Sequence, residues 1–250
     1  NLLINWAKDN LTSNEQKEFD NIIDTGNYEI IKKTILELNQ KFELSKESSG
    51  ISKDQANSDD IDSYFNRALK RIESADYTGA LSDLNKVIKI DPNNVAAYYN
   101  RGTIKSRYLK RHKAAILDFN KAIEIDPNYP SFYLNRGKAK SNLKDYDGAI
   151  SDYSEAILED PLNINAYNNR AYAHYLNGNY YFSINDYEKT LELEKDVTRR
   201  AVAFKTLGLS REQLNDIEGA CADWREASSL VDKGTADYLG LPKLIKNQCE

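Results

Sequence analysis

Catalysis, metal binding and membrane insertion each need residues that this chain supplies sparingly or not at all. Among its 250 residues there are two histidines, two cysteines, five prolines and no methionine. His112 falls in an expected turn and His174 on an expected helix, and neither has a cysteine or carboxylate at metal-ligand spacing. No glycine-rich phosphate loop occurs, and no serine, histidine and aspartate stand in a recognisable catalytic context. Asp145-Tyr146-Asp147-Gly148 opens like a calcium loop but lacks the remaining ligands. The expectation is a protein without enzymatic activity and without a cofactor. Leu2-Leu3-Ile4 is only a three-residue apolar run, against the roughly 18 needed to cross a bilayer, so the chain is expected to be soluble with no membrane span. It begins at Asn1, as a piece of a longer product would, and any targeting segment is left unread.

An excess of positive charge is also missing. The chain carries a net charge of −5. Residues 1–60 hold seven lysines and no arginine against twelve acidic residues, whereas the other 190 residues hold 27 of each sign. Without a bulk basic field, nucleic acid is not an expected partner. The acidic segment reads as a helical hairpin over residues 1–44. Thr12-Ser13-Asn14-Glu15 is a capping-box pattern, Gly26 suits a helix C-cap, and Ile31, Ile35, Leu38 and Phe42 share one helical face. Residues 45–60 are polar and serine-rich, which predicts a flexible linker.

What the chain does have is a period. Asp91-Pro92, Asp126-Pro127 and Asp160-Pro161 follow one another at 35 and 34 residues, and Ala80, Ala115, Ala149, Ser183 and Ala220 keep nearly the same step. Self-similarity at this length marks an array of stacked units in place of one core. Each unit reads as two helices. Ala68, Gly102, Gly137, Ala171 and Gly208 put a small residue where the first helix meets its partner. Ala149, Ile150, Tyr153, Ala156 and Ile157 form one apolar stripe on a second helix, which Asp160-Pro161 ends.

Tyr133, Gly137, Tyr146, Ala149, Tyr153, Ala156 and Pro161 fill the seven signature slots of the tetratricopeptide repeat (TPR), and the chain resembles that family over roughly residues 61 to 234. Asn100-Arg101-Gly102 is similar to the bacterial Asn-Arg-Gly style of repeat. The resemblance implies an all-α fold, a right-handed α-solenoid of helix-turn-helix repeats at 61–94, 95–129, 130–163, 164–197 and 201–234, followed by a capping helix within 235–250. An extra residue in the second repeat is expected near the turn at Tyr108 to His112. In the fourth, Lys195 replaces proline, so its last helix is expected to run on toward the fifth, across a spacer Thr198-Arg199-Arg200. Residues 2–42, with Asn5-Trp6-Ala7, Phe19-Asp20 and Thr25-Gly26-Asn27, distantly resemble a helical segment of capsid assembly proteins of short-tailed phages.

The resemblance also implies where a partner would bind. The first helix of each TPR unit lines the inner face, and one slot there holds Asn66, Asn100, Asn135 and Asn169. A side-chain amide both donates and accepts, so such a row suits the backbone of an extended peptide; the same asparagines are also accounted for as repeat consensus. Phe65, Tyr99, Lys138, Tyr172 and Tyr175 surround the row. The carboxylate clamp of chaperone-binding TPR domains is absent, since Phe65 and Leu69 occupy its first two positions. Arg67, Arg101, Arg136 and Arg170 are expected to pair structurally with Asp83, Asp118, Asp152 and Asp186.

Two functions follow. One is a non-catalytic interaction scaffold that binds a peptide or partner protein in the groove, with residues 1–44 as a second contact or as an intramolecular cover of that groove. The other is an assembly protein in which the array is a rigid spacer and the hairpin makes the specific contact. Packing of the cap on the last repeat would bring Cys221 and Cys249 together, either as a disulfide in an oxidising compartment such as the periplasm or as free thiols in the cytoplasm.

Overall fold

The computed structural model describes residues 53–249, in which there are twelve α-helices, one π-helical turn and no strand. The chain divides into two compact units, Asn1–Ser63 and Tyr64–Glu250, and the repeats lie in the second. The hairpin expected over residues 1–44 lies outside the described residues. α1 (Lys53–Glu73) begins inside the stretch expected as a flexible linker. Helix nucleation is the costly step, so a turn already fixed around buried Ala68 extends cheaply through the polar residues ahead of it.

The helices come in antiparallel pairs. α1 meets α2 (Tyr77–Ile90), α3 (Val95–Thr103) meets α4 (His112–Ile125), and α5 (Pro130–Asn142) meets α6 (Tyr146–Glu159). α7 (Ile164–Leu176) then pairs with α8 (Tyr180–Leu193), and α9 (Val197–Gln213) with α10 (Ile217–Ser229). Each pair packs on the next, which makes an α-solenoid. Within a pair, a small residue on the first helix receives a large one from the second. A Cβ built on Gly102 would stand 2.8 Å from the Phe119 ring, and one on Gly137 2.7 Å from the Tyr153 ring. Ala68 and Ala171 hold the same slot against Leu84 and Tyr187, and all four are buried.

One residue in each inter-helix turn adopts a left-handed backbone: Ala75 (φ 61°), Lys110 (φ 56°), Lys144 (φ 64°), Gly178 (φ 77°) and Asn215 (φ 62°). Only one of the five is glycine, so the other four accept a cost of about 1 kcal/mol each. The following residue offsets it in three repeats. Asp76, Asp145 and Asp216 cap their helices by accepting from the amides of Gly79, Gly148 and Gly219 at 2.9, 3.0 and 2.9 Å.

The extra residue of the second repeat is absorbed earlier than expected, by a π-turn at Ile104–Tyr108 that widens the end of α3. The bond that closes the turn survives it: the Arg111 amide donates to Lys105 O at 2.7 Å, as the Asp145 amide donates to Lys140 O at 3.0 Å. His112 accordingly opens α4 instead of sitting in the turn.

The fourth repeat does not run on into the fifth. α8 stops at Leu193 because the Glu194 carboxylate accepts from the amides of Lys195 and Asp196, both at 3.0 Å. Asp196 then caps α9 by accepting from the Arg199 amide at 2.8 Å, so the expected spacer Thr198-Arg199-Arg200 lies inside that helix. Ser183 and Thr190, which stand in small slots of this repeat, are satisfied where they are buried. Ser183 Oγ shares a hydrogen bond with Ser210 Oγ at 2.9 Å, and Thr190 Oγ1 donates to Asp186 O at 2.9 Å.

Two short helices, α11 (Lys233–Leu239) and α12 (Leu241–Cys249), close the end of the array. Leu241 and Ala236 pack with Trp224 and Ala227 of α10. Cys221 of α10 and Cys249 of α12 are joined as a disulfide with their Cα atoms 5.7 Å apart.

Candidate functional site: the face of the first helices

The framework behind this face is a row of buried carboxylates held by cations. Arg67 grips Asp83 at 2.7 and 2.6 Å, Arg136 grips Asp152 at 3.0 and 2.7 Å, and Arg170 grips Asp186 at 2.7 Å twice. Arg101 does the same to Asp118, with its shortest contact at 2.6 Å. A second cation, one helical turn further on, completes the bracket: Arg71 on Asp83, Lys105 on Asp118 and Lys140 on Asp152, at 2.7, 2.7 and 2.9 Å. The hydrogen bond from Arg67 holds Asp83 below its ordinary value.

The fourth and fifth brackets differ. His174 takes the place of the second cation beside Asp186, and burial depresses its pKa, so the imidazole is neutral near pH 7. Leu207 replaces the first arginine of the fifth repeat, and Arg211 holds Asp223 alone at 2.8 Å to both oxygens. Burial outweighs that single arginine and raises the Asp223 pKa to about 6.

The same arginines stitch neighbouring repeats together. Arg101 donates to Asn85 Oδ1 at 2.7 Å, Arg136 to Asn120 Oδ1 at 2.8 Å and Arg170 to Ser154 Oγ at 2.9 Å, each acceptor lying on the second helix of the preceding repeat. Arg211 does so with Glu188 at 3.0 Å. Arg67, Arg101, Arg136 and Arg170 also lie near the aromatic ring three residues earlier, Tyr64, Tyr98, Tyr133 and Tyr167, at 5.1 to 5.7 Å from the centroid. The first helices are thereby fixed side by side at regular spacing.

On this scaffold the asparagine row is partly committed. Asn100 Nδ2 donates to Ala96 O at 2.8 Å, and Asn135 Nδ2 donates to Ser131 O at 2.9 Å, four residues back along each helix. Asn135 spends its other amide hydrogen on Tyr99 Oη at 3.0 Å. Both amide groups therefore offer their Oδ1 acceptors; Asn135 has spent both amide hydrogens, and Asn100 keeps one. Asn66 is exposed and Asn169 half-buried.

The surrounding residues divide into two kinds. Tyr99 is a mostly buried ring packed 5.2 Å from Phe132, and burial raises its hydroxyl pKa. Phe65 is half-buried. Tyr172 and Tyr175 stack at 6.4 Å with planes 17° apart, and Tyr172 remains 48% exposed. These two form an aromatic step on α7. Lys138, on α5, is half-buried; its pKa is depressed first by burial and then by Arg107 nearby. Arg107 was not among the residues the sequence singled out, because it lies in the π-turn where the repeat register shifts.

Among the described residues no helix is long and apolar enough to cross a membrane. Two family profiles match the chain, one described as TPR repeat at residues 72–105 and 107–143, the other as tetratricopeptide repeat at residues 134–181. Among curated protein sequences none matches significantly. Solved structures similar in fold include MamA, at 22% identity over 69% of this chain and 92% of that one, with a TM-score of 0.65. YrrB, described as a TPR protein with an unusual peptide-binding site, is similar at 18% identity over 71% of this chain and 90% of that one, TM-score 0.62. PilW, described as a widely conserved type IV pilus biogenesis factor, is similar at 21% identity over 75% and 86%, TM-score 0.61. The helix pairs of this chain thus stack as an α-solenoid, and those within residues 72–181 match tetratricopeptide repeats.

Proposed function

We propose that the protein is a non-catalytic interaction scaffold that binds an extended peptide, or an extended segment of a partner protein, along the face made by α1, α3, α5, α7 and α9. The observation that carries this reading is the oriented amide row. With Nδ2 tied to its own helix, the Oδ1 of Asn100 and of Asn135 is left as a fixed acceptor for the N–H groups of a passing backbone. Fixing the amides beforehand lowers the ordering cost of binding. That YrrB, similar in fold, is described by its peptide-binding site agrees with this use of the fold. The bonded Cys221 and Cys249 fit an oxidising compartment.

The test uses a peptide selected against the full chain from a display library. Asn100→Ala combined with Asn135→Ala should weaken that peptide by about 1 to 3 kcal/mol, with helix content unchanged by circular dichroism. Unchanged affinity would place binding elsewhere. Loss of all binding on removal of residues 1–52, with the asparagine pair dispensable, would favour the alternative of a spacer array whose N-terminal segment makes the contact.

A further inference from the structure

The asparagines of the row share one slot but not one hydrogen-bonding state, and the difference is set by the repeat before. The residue that precedes the asparagine in each repeat is Phe65, Tyr99, Leu134 and Asn168 in turn, and of these Tyr99 alone carries a hydroxyl. Its Oη accepts from Asn135 Nδ2 of the next repeat at 3.0 Å. The other hydrogen of that Nδ2 goes to Ser131 O at 2.9 Å. A backbone carbonyl can only accept, so the nitrogen of the amide, and not its oxygen, must face Ser131. With both hydrogens engaged, Asn135 has its Oδ1 left and nothing to donate. Asn100 has Phe65 at the equivalent place in the repeat before it; it is held by Ala96 O at 2.8 Å and keeps one hydrogen beside its Oδ1.

The hydroxyl that makes this difference is itself held in place. The Tyr99 ring lies 5.2 Å from Phe132 and 6.2 Å from Phe119, tilted against both, and packs on the buried cluster of Ala115, Phe119 and Ala139. Both phenylalanines are fully buried, so the ring has little room to turn aside. Burial also raises the Tyr99 pKa, which keeps the phenol neutral. Thr103 Oγ1, one turn further along α3, is a buried oxygen without another hydrogen-bond partner and acts on the same hydroxyl.

Resting on the groove reading above, we infer that Tyr99 is a positioning residue that makes Asn135 an acceptor-only subsite, so that the groove takes extended segments with a free backbone N–H at that point and rejects proline there. Proline has no N–H, and set against Oδ1 it would leave that oxygen without a partner in the complex. Asn100 is the tolerant neighbour: its Oδ1 can accept from an N–H while its remaining hydrogen goes to a carbonyl, so a residue without an N–H still finds one bond. The place of a proline in the segment, not the number of prolines, decides the outcome.

Fluorescence anisotropy with the full chain tests this, using a labelled dodecapeptide from the display selection in which each backbone N–H is replaced in turn by an ester oxygen. In the parent chain one ester position should weaken binding more than any other, by about tenfold, in keeping with one acceptor left unpaired. Tyr99→Phe removes only the oxygen that holds Asn135 and returns one hydrogen to that amide, which puts it in the state of Asn100. The penalty at that position should then fall to about threefold or less, with the penalties elsewhere unchanged. Asn135→Ala should abolish the same penalty, and adding Tyr99→Phe to it should change the affinity no further. Thermal midpoints of the variants separate loss of fold from loss of positioning. If Tyr99→Phe keeps the tenfold penalty, or if its effect adds to that of Asn135→Ala, the tyrosine only packs, and the inference is overturned while the groove reading stands. If Asn100→Ala with Asn135→Ala leaves the affinity unchanged, the groove reading falls and takes this inference with it.

Discussion

Gly208→Ala adds one methyl group at the crossing of α9 and α10, and the sign of its effect separates two arguments. On helix propensity alone the change is favourable by about 1 kcal/mol. Packing opposes it. The new Cβ would stand 2.4 Å from Trp224 Nε1, 2.7 Å from its Cδ1 and 3.0 Å from the Ala220 carbonyl oxygen. The indole cannot simply slide aside, since Trp224 is fully buried and its N–H donates to Lys205 O at 3.1 Å. Overpacking costs roughly 1 to 3 kcal/mol, and a buried N–H that loses its acceptor costs roughly 1 to 3 more, so after the gain in propensity the net loss is roughly 1 to 5 kcal/mol. Urea unfolding followed by far-ultraviolet circular dichroism should show a lower midpoint for the variant. Gly178→Ala is the matched control: at φ +77° with nothing within 4 Å of the added Cβ, it should lose only the left-handed backbone cost of about 1 kcal/mol. A parent-like midpoint for Gly208→Ala, or a greater loss at Gly178, would show that the glycine is not there to admit the Trp224 ring.

Asp152→Ala leaves Arg136 and Lys140 facing each other without their shared carboxylate and should cost about 3 kcal/mol by chemical denaturation, more than Asp186→Ala, whose bracket holds one cation and a neutral imidazole. Lys144→Gly should stabilise the third repeat by about 0.5 to 1 kcal/mol, because glycine meets φ 64° without strain; a lower melting midpoint would contradict this. For Asp223 the folded pKa of about 6 exceeds the ordinary carboxylate value expected of the unfolded chain, so the native state binds the extra proton between the two. Its contribution to stability is therefore fully present below the ordinary carboxylate pKa and is lost as pH rises through 6, and Asp223→Asn should flatten that slope between about pH 4 and pH 6.5 in urea midpoints.

Much of this architecture is written in local rules. Small residues at Gly102 and Gly137, caps at Asp76 and Asp145 and the arginine–aspartate pairing are each the consequence of one or two side chains, and the period repeats them until they can be read. The remainder depends on geometry that no single residue announces. The left-handed turn slot holds alanine, lysine, glycine or asparagine, because its strain is small enough to be offset by capping next door. A lysine one turn after an arginine looks like ordinary surface charge until Asp152 is seen between them. The expected run-on of the fourth repeat was set by a missing proline, yet Glu194 ends the helix by occupying two amides instead of lacking one. In the face itself, the positions of Asn100 and Asn135 follow from the period. That Asn135 has spent both amide hydrogens and Asn100 one follows from hydrogen-bond partners, and the placement of Arg107 follows from a π-turn outside the register.

The disulfide makes the two ends of the repeat array unequal. A solenoid comes apart from its ends, where a unit has a neighbour on one side only. Here the last helix is tied to the last repeat by a covalent loop spanning 28 residues, so pulling or heating cannot peel α12 away without first opening the structure that α10 belongs to. Like a zipper stitched at one end, the array can open only in the other direction. Reduction of that bond would turn a one-way unfolding path into a two-way one, and hydrogen exchange in α12 would quicken.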